Sequence, residues 1–163
     1  KGTDGKTYSL GNFKNVKALL IIFMCNHCPY VKAKQRTIIG LQNKYKSKGL
    51  VVVGINSNES ENYPEDNFEG MVETAKEKGY NFVYLHDKTQ EVAKAYGASC
   101  TPDPFLFDAK QKLVYHGRFD YALEPGQEAT EFDMDKAIQA VLAGKKPKHD
   151  FLYSIGCSIK WKK

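Results

Sequence analysis

The residues of this sequence best suited to chemistry are two cysteines three positions apart, Cys25 and Cys28, with Asn26 and His27 between them. A pair at that spacing can close a small disulfide and reopen it, and the species that attacks in such exchange is the thiolate. His27 adds a group able to carry positive charge beside the sulfurs and so favour ionisation. Pro29 follows directly, and a residue without an N–H is suited to the first turn of a helix. With Asn26 as N-cap, Pro29 falls at the third helical position, Cys25 just outside the helix and Cys28 inside its first turn. Both sulfurs then feel the positive end of the helix dipole. The same pair could be half of a zinc site, but no second CxxC or His pair follows at ligand spacing. A second feature, Thr101-Pro102 ahead of an apolar run, reads by itself as a turn.

The elements that must position these residues are legible around them. Lys17 to Met24 is an unbroken apolar run that suits a strand covered on both faces. Val31, Ile38, Leu41 and Tyr45 recur at helical spacing up to Gly49, and Leu50 to Ile55 is a second buried strand, which makes a βαβ unit. A CxxC beside such a unit is the redox signature. An acidic connection then leads through Tyr63-Pro64-Glu65-Asp66 into a helix that runs to Lys78 and stops at Gly79. Asn81 to Leu85 reads as a short strand and Thr89 to Tyr96 as a short helix closed by Gly97. Phe105 to Phe107 and Lys112 to Phe119 form an antiparallel hairpin about a polar turn, and a last helix spans Phe132 to Leu142. The fold class is α/β: one domain over residues 1–163, a mixed sheet with helices on both faces.

Composition narrows the function classes. The chain has 163 residues, 42% hydrophobic and 26% charged, as in a globular domain, and no apolar run approaches the length of a membrane span. Its net charge of +5 resides entirely in a basic tail that begins at about residue 145, where six lysines face one acid. The rest of the chain is neutral, which argues against a nucleic-acid partner. Four unevenly spaced cysteines are too few for a disulfide scaffold. No phosphate cradle, dinucleotide fingerprint, HExxH or GxSxG is present, so the working cofactor is the dithiol itself.

The stretches FMCNHCPYVKA, AYGASCTPDPFLFD, LVYHGRFD and SIGCSIKWK resemble the thioredoxin-like superfamily, in its AhpC/TSA (redoxin) branch and a peroxiredoxin-like subgroup with a CNHCPY segment. The resemblance implies a thioredoxin-like fold with Pro102 in cis, Thr101 offering its backbone to substrate, and an extra strand and helix inserted between CxxC and proline, over Gly54 to Asn81. It also implies a thiol–disulfide oxidoreductase with an antioxidant role. In that reading Cys25 attacks, His27 favours the thiolate, Cys28 resolves, and Thr101-Pro102 positions a protein or small-molecule disulfide. Histidine between the cysteines implies a potential less negative than thioredoxin's roughly −270 mV. The alternative is a thiol peroxidase, in which Cys28 is oxidised to a sulfenic acid by a hydroperoxide and Cys25 condenses with it. There Cys25 stands where the family has a threonine, and Arg118 is the candidate arginine of the peroxide site. A third reading is copper or zinc held by Cys25, Cys28 and a histidine. Cys100 and Cys157 are secondary redox candidates, Cys157 as a resolving thiol. His86, His116 and His149 read as loop or surface residues. Electrons would come from an external thiol reductant, and the subgroup implies the cytoplasm, with a periplasmic form open.

Overall fold

The computed structural model describes residues 1–163. The strand expected from the apolar run forms as β1 (Ala18–Phe23), and all six of its residues are buried. β1 pairs in parallel with β2 (Leu50–Asn56) on one side and antiparallel with β5 (Asp103–Phe107) on the other, so Phe23 lies opposite both Ile55 and Asp103. Outward from β2 lies β3 (Val83–His86), parallel to it; outward from β5 lie β6 (Leu113–Gly117) and then β7 (Phe151–Leu152). This is a six-stranded mixed sheet in the order β3-β2-β1-β5-β6-β7.

Because successive strand residues point to opposite faces, β1 supplies both halves of the core. Leu20 and Ile22 face α2 (Gln35–Tyr45), α3 (Phe68–Lys78) and α5 (Asp133–Leu142), packing with Ile38, Leu41, Met71 and Ile138. Leu19, Ile21 and Phe23 face the other way, against Phe13, Phe105 and Ala93 of α4 (Glu91–Tyr96). Helices therefore cover both faces. None of them is long and apolar enough to cross a membrane.

Three boundaries differ from the sequence expectation. The helix after the CxxC is not continuous: a four-residue α1 (Pro29–Lys32) ends at Ala33 and α2 starts at Gln35. Its cap is Cys28, with Pro29 as first helical residue, because Asn26 is held elsewhere. The strand expected at 81–85 starts at Val83, so it lies beyond the Gly54 to Asn81 region expected for the insertion, of which α3 is the helix.

The chain after α5 returns to the fold instead of trailing away. β7 lies along β6, where Gly117 (φ +136) leaves no room for a side chain: a Cβ there would sit 1.9 Å from the carbonyl oxygen of Leu152. A separate two-stranded ribbon joins β4 (Cys100–Thr101) to β8 (Cys157–Ser158), antiparallel, with Thr101 opposite Cys157. The peptide bond between Thr101 and Pro102 is cis.

Candidate functional site

The site lies where β1 ends, in the corner between α1, the Thr101-Pro102 turn and β8. Asn26 anchors the corner. Its backbone N–H donates to Asp66 Oδ1 (2.7 Å), its amide donates to the Glu65 carbonyl (2.8 Å), and it accepts from the Tyr84 hydroxyl (2.7 Å). With both ends of its side chain used in this way, it is not free to cap a helix.

Cys25 and Cys28 are both fully buried, and all four cysteines are free thiols. Thr101 touches both members of the pair: its Oγ1 is 3.6 Å from Cys25 Sγ and its carbonyl oxygen 3.6 Å from Cys28 Sγ. A third sulfur completes the group, with Cys157 Sγ 2.6 Å from Cys28 Sγ. Cys157 is half-buried, the least enclosed of the three.

The electrostatics separate the two cysteines of the motif. Cys28 is lowered to about 4, first by the hydrogen bond it accepts from the Cys25 thiol and then by those from the Cys157 thiol and the backbone N–H groups of Val31 and Cys157, which together outweigh its burial. Cys25 moves the other way, well above the usual thiol range: as a thiol it hydrogen-bonds to Cys28, it is buried, and the charge of Asp66 faces it. With α1 only four residues long, hydrogen bonds do here what the sequence reading assigned to a long helix dipole.

His27 lies at the mouth, about 30% exposed, stacked at 6.3 Å on Tyr63, with Nδ1 2.6 Å from Asp66 Oδ2 in an ion-pair approach whose angle is not that of a hydrogen bond. Asp66 was missed in the sequence, where Tyr63-Pro64-Glu65-Asp66 reads only as a helix start. It is fully buried, and besides Asn26 it accepts from Asn56 Nδ2 (3.2 Å) and Asn58 Nδ2 (2.9 Å). Those two asparagines, at and just past the end of β2, are the signal that could have marked it. For a metal, the donor atoms that converge are those of Cys25, His27 and Asp66, within 4.8 Å of one another, and not the set of Cys25, Cys28 and a histidine expected for copper or zinc. They fit poorly, since Asp66 is already surrounded by hydrogen-bond donors and Cys25 is held protonated.

The other candidates fall away from the sulfurs. Arg118 lines a cleft beside Pro102, Pro104 and Ile155 with room for about one water (about 20 Å³), but its Nε donates to Asp133 Oδ2 (2.6 Å) and its guanidinium lies over the Tyr121 ring, in contact with no cysteine. Cys100 points at the Pro102 carbonyl (3.8 Å), and burial with the nearby Asp103 charge pushes it up to about 12. His116, expected on the surface, belongs to β6, stacked on Phe105 at 4.0 Å with Nε2 2.5 Å from Asp103 Oδ1. His86 ends β3, half-buried against Phe68, while His149 is exposed.

Comparison with known proteins adds relatives to this geometry. The Redoxin family matches residues 1–136. A hypothetical protein from Sinorhizobium meliloti 1021 is 44% identical over 98% of this chain and 88% of its own, with a TM-score of 0.93. An uncharacterized conserved protein from Geobacillus kaustophilus is 46% identical over 98% of this chain and 85% of its own, also at 0.93. The thioredoxin domain of a thiol-disulfide oxidoreductase from Bacteroides vulgatus shares the fold at 22% identity, covering 71% of this chain and 79% of that one with a TM-score of 0.60. No curated protein sequence matches the chain.

Proposed function

The chain belongs to the Redoxin family, and from that premise we propose that it is a thiol–disulfide oxidoreductase whose Cys25 and Cys28 cycle between dithiol and disulfide. The observation that carries the reading is the gathering of Cys25, Cys28 and Cys157 about Thr101, which touches both sulfurs of the motif, with Cys28 driven toward the thiolate and Cys25 toward the thiol. These are the two roles that a dithiol reaction needs.

The order this geometry favours is Cys28 first, in place of the Cys25-first order implied by the thioredoxin resemblance. Cys28 thiolate attacks one sulfur of a substrate disulfide, and the leaving thiolate takes the proton of Cys25. The new Cys25 thiolate then attacks Cys28 Sγ, closing the Cys25–Cys28 bond and releasing the second substrate thiolate. Two electrons have passed to the substrate, and an external thiol reductant restores the dithiol. Thr101, beside both sulfurs, is the positioning residue. Asp66 sets the charge facing Cys25, with His27 beside it at the mouth.

The thiol peroxidase reading uses the same order, and the low-pKa sulfur of Cys28 favours it. Against it stand the engagement of Arg118 with Asp133 and the smallness of the adjacent cleft.

Trypsin releases both cysteines of the motif in one peptide, residues 18–32, so closure of their bond is read as a loss of two hydrogens from that peptide. Reduced protein treated with glutathione disulfide and quenched by alkylation should yield that product within the mixing time of a slow assay, faster than with an equal amount of hydrogen peroxide. Recovery of both cysteines alkylated after either oxidant would overturn the reading, and peroxide acting much faster than the disulfide would transfer it to the peroxidase.

A further inference from the structure

Cys28 has no exposed surface in this fold, so a substrate disulfide reaches it only by displacing what covers it, and a large protein partner does not meet it directly. What covers it is the chain's own tail. The tail is fastened on both sides of Cys157. Before it, the backbone N–H groups of His116 and Arg118 donate to Asp150 and Leu152. After it, Ile159 is buried and donates to Ser99, Lys160 pairs with Asn58 and Glu59, and Lys162 donates to Gln90. Between these anchors, Gly156 brings the backbone so close to Thr101 that a Cβ would sit 2.2 Å from the Thr101 carbonyl oxygen. The strand so held pairs Cys157 with Thr101 and sets its sulfur on Cys28.

Resting on the dithiol reading above, we propose that Cys157 is a third redox centre, which takes the disulfide from the buried pair and presents it, as a Cys28–Cys157 bond, to an external dithiol reductant. In the first step the Cys157 sulfur attacks Cys28 Sγ of the Cys25–Cys28 disulfide. The Cys28–Cys157 bond forms, the Cys25–Cys28 bond breaks, and the proton of Cys157 ends on Cys25, with no net change in oxidation state. In the second step a thiolate of the reductant attacks Cys157 Sγ, the sulfur of the only one of the three residues that is not fully buried, and Cys28 leaves as the thiolate that its surroundings stabilise. The second thiol of the reductant then releases Cys157, and two electrons have entered the protein. The tail thereby decides which sulfur a partner meets: Cys28 is shielded, and Cys157 stands for it at the surface.

Two variants of the full chain test this. Cys25→Ser oxidised with one equivalent of diamide should join tryptic peptides 18–32 and 149–160 through Cys28 and Cys157 in most molecules. Wild-type protein, oxidised and then challenged with a thioredoxin lacking its resolving cysteine, should trap the mixed disulfide on Cys157, and Cys157→Ser should lower trapping by at least about tenfold. Alkylatable Cys157 in the oxidised Cys25→Ser protein, or trapping on Cys25 or Cys28 of the wild type, would overturn the relay. Circular dichroism of each variant separates these outcomes from misfolding, for which the Ala variants at the same positions serve as replacements. If the wild type forms no bond within peptide 18–32, the dithiol reading fails; if it does and the Cys28–Cys157 link is missing, the relay alone fails.

Discussion

Cys100 precedes Thr101 in β4 and Cys28 touches Thr101 from the cap of α1, and the two thiols are driven in opposite directions. Cys100 meets a backbone carbonyl and the charge of Asp103 in a half-buried setting, and is pushed up to about 12. Cys28 is more deeply buried, yet it is brought down to about 4. Burial alone would raise both. What differs is the balance: the hydrogen bonds of Cys28 with the Cys25 and Cys157 thiols and the backbone of Val31 and Cys157 outweigh its burial, whereas at Cys100 those with Ser99 and Ser154 do not outweigh burial and the charge of Asp103. Local hydrogen bonds thus favour the thiolate at Cys28, while beside Thr101 burial and charge disfavour it at Cys100.

The largest effect that would sharpen this contrast is loss of the sulfur itself. Cys28→Ser should lower turnover with a model disulfide by at least about 1000-fold, while Cys100→Ser changes it by less than about twofold. Comparable losses in the two variants, read in a coupled assay with an external reductant, would erase the distinction. Asp66→Asn comes next: it removes the charge that faces Cys25 and leaves an amide among the donors of Asn26, Asn56 and Asn58. Thermal unfolding should report a cost of about 1–3 kcal/mol, and Cys25 should ionise at lower pH than in the wild type. A smaller effect is expected in the redox potential. Because a stabilised Cys28 thiolate favours the reduced form, equilibration with glutathione should place the pair less negative than about −270 mV; a value at or below that figure would contradict the assignment.

A further effect is in stability against pH. Cys28 has a folded-state pKa below its unfolded value, so its contribution is fully present above the unfolded thiol pKa and is lost as pH falls through about 4. Cys25, raised, acts in the opposite sense and only above the unfolded thiol range, so the window between about 4 and 8 belongs to Cys28. Denaturant midpoints of the reduced wild type minus Cys28→Ala should therefore narrow as pH is lowered across that window. A difference independent of pH would mean that Cys28 stays protonated in the folded state.

Much of this arrangement could be read from the residues alone, and the rest could not for physical reasons. The apolar run of β1, the CxxC at its end and the helix stops at Gly79 and Gly97 carry local signals, and both glycines take positive φ at their helix ends. The break between α1 and α2 has no such mark, since Ala33 and Lys34 are good helix formers. Asn26 looked like a cap because its type suits one; Asp66, 40 residues away, claims its N–H instead. The placement of Arg118 turned on Asp133, a helix-start acid whose partner only tertiary structure supplies. The tail is the clearest case. Ile159 is buried, but β8 is two residues long and has no periodicity from which its pairing with β4 could be foreseen.

The central claim is that Cys28 is a thiolate in the reduced protein while Cys25 keeps its proton. Thiolate absorbance at 240 nm, followed from pH 3 to pH 10 in reduced wild type and in Cys28→Ser, tests it without requiring any reagent to reach the buried sulfurs. The account predicts a transition near pH 4 in the wild type that is missing from Cys28→Ser. A wild-type transition confined to pH 8 and above, or an acid transition that survives in Cys28→Ser, would contradict it.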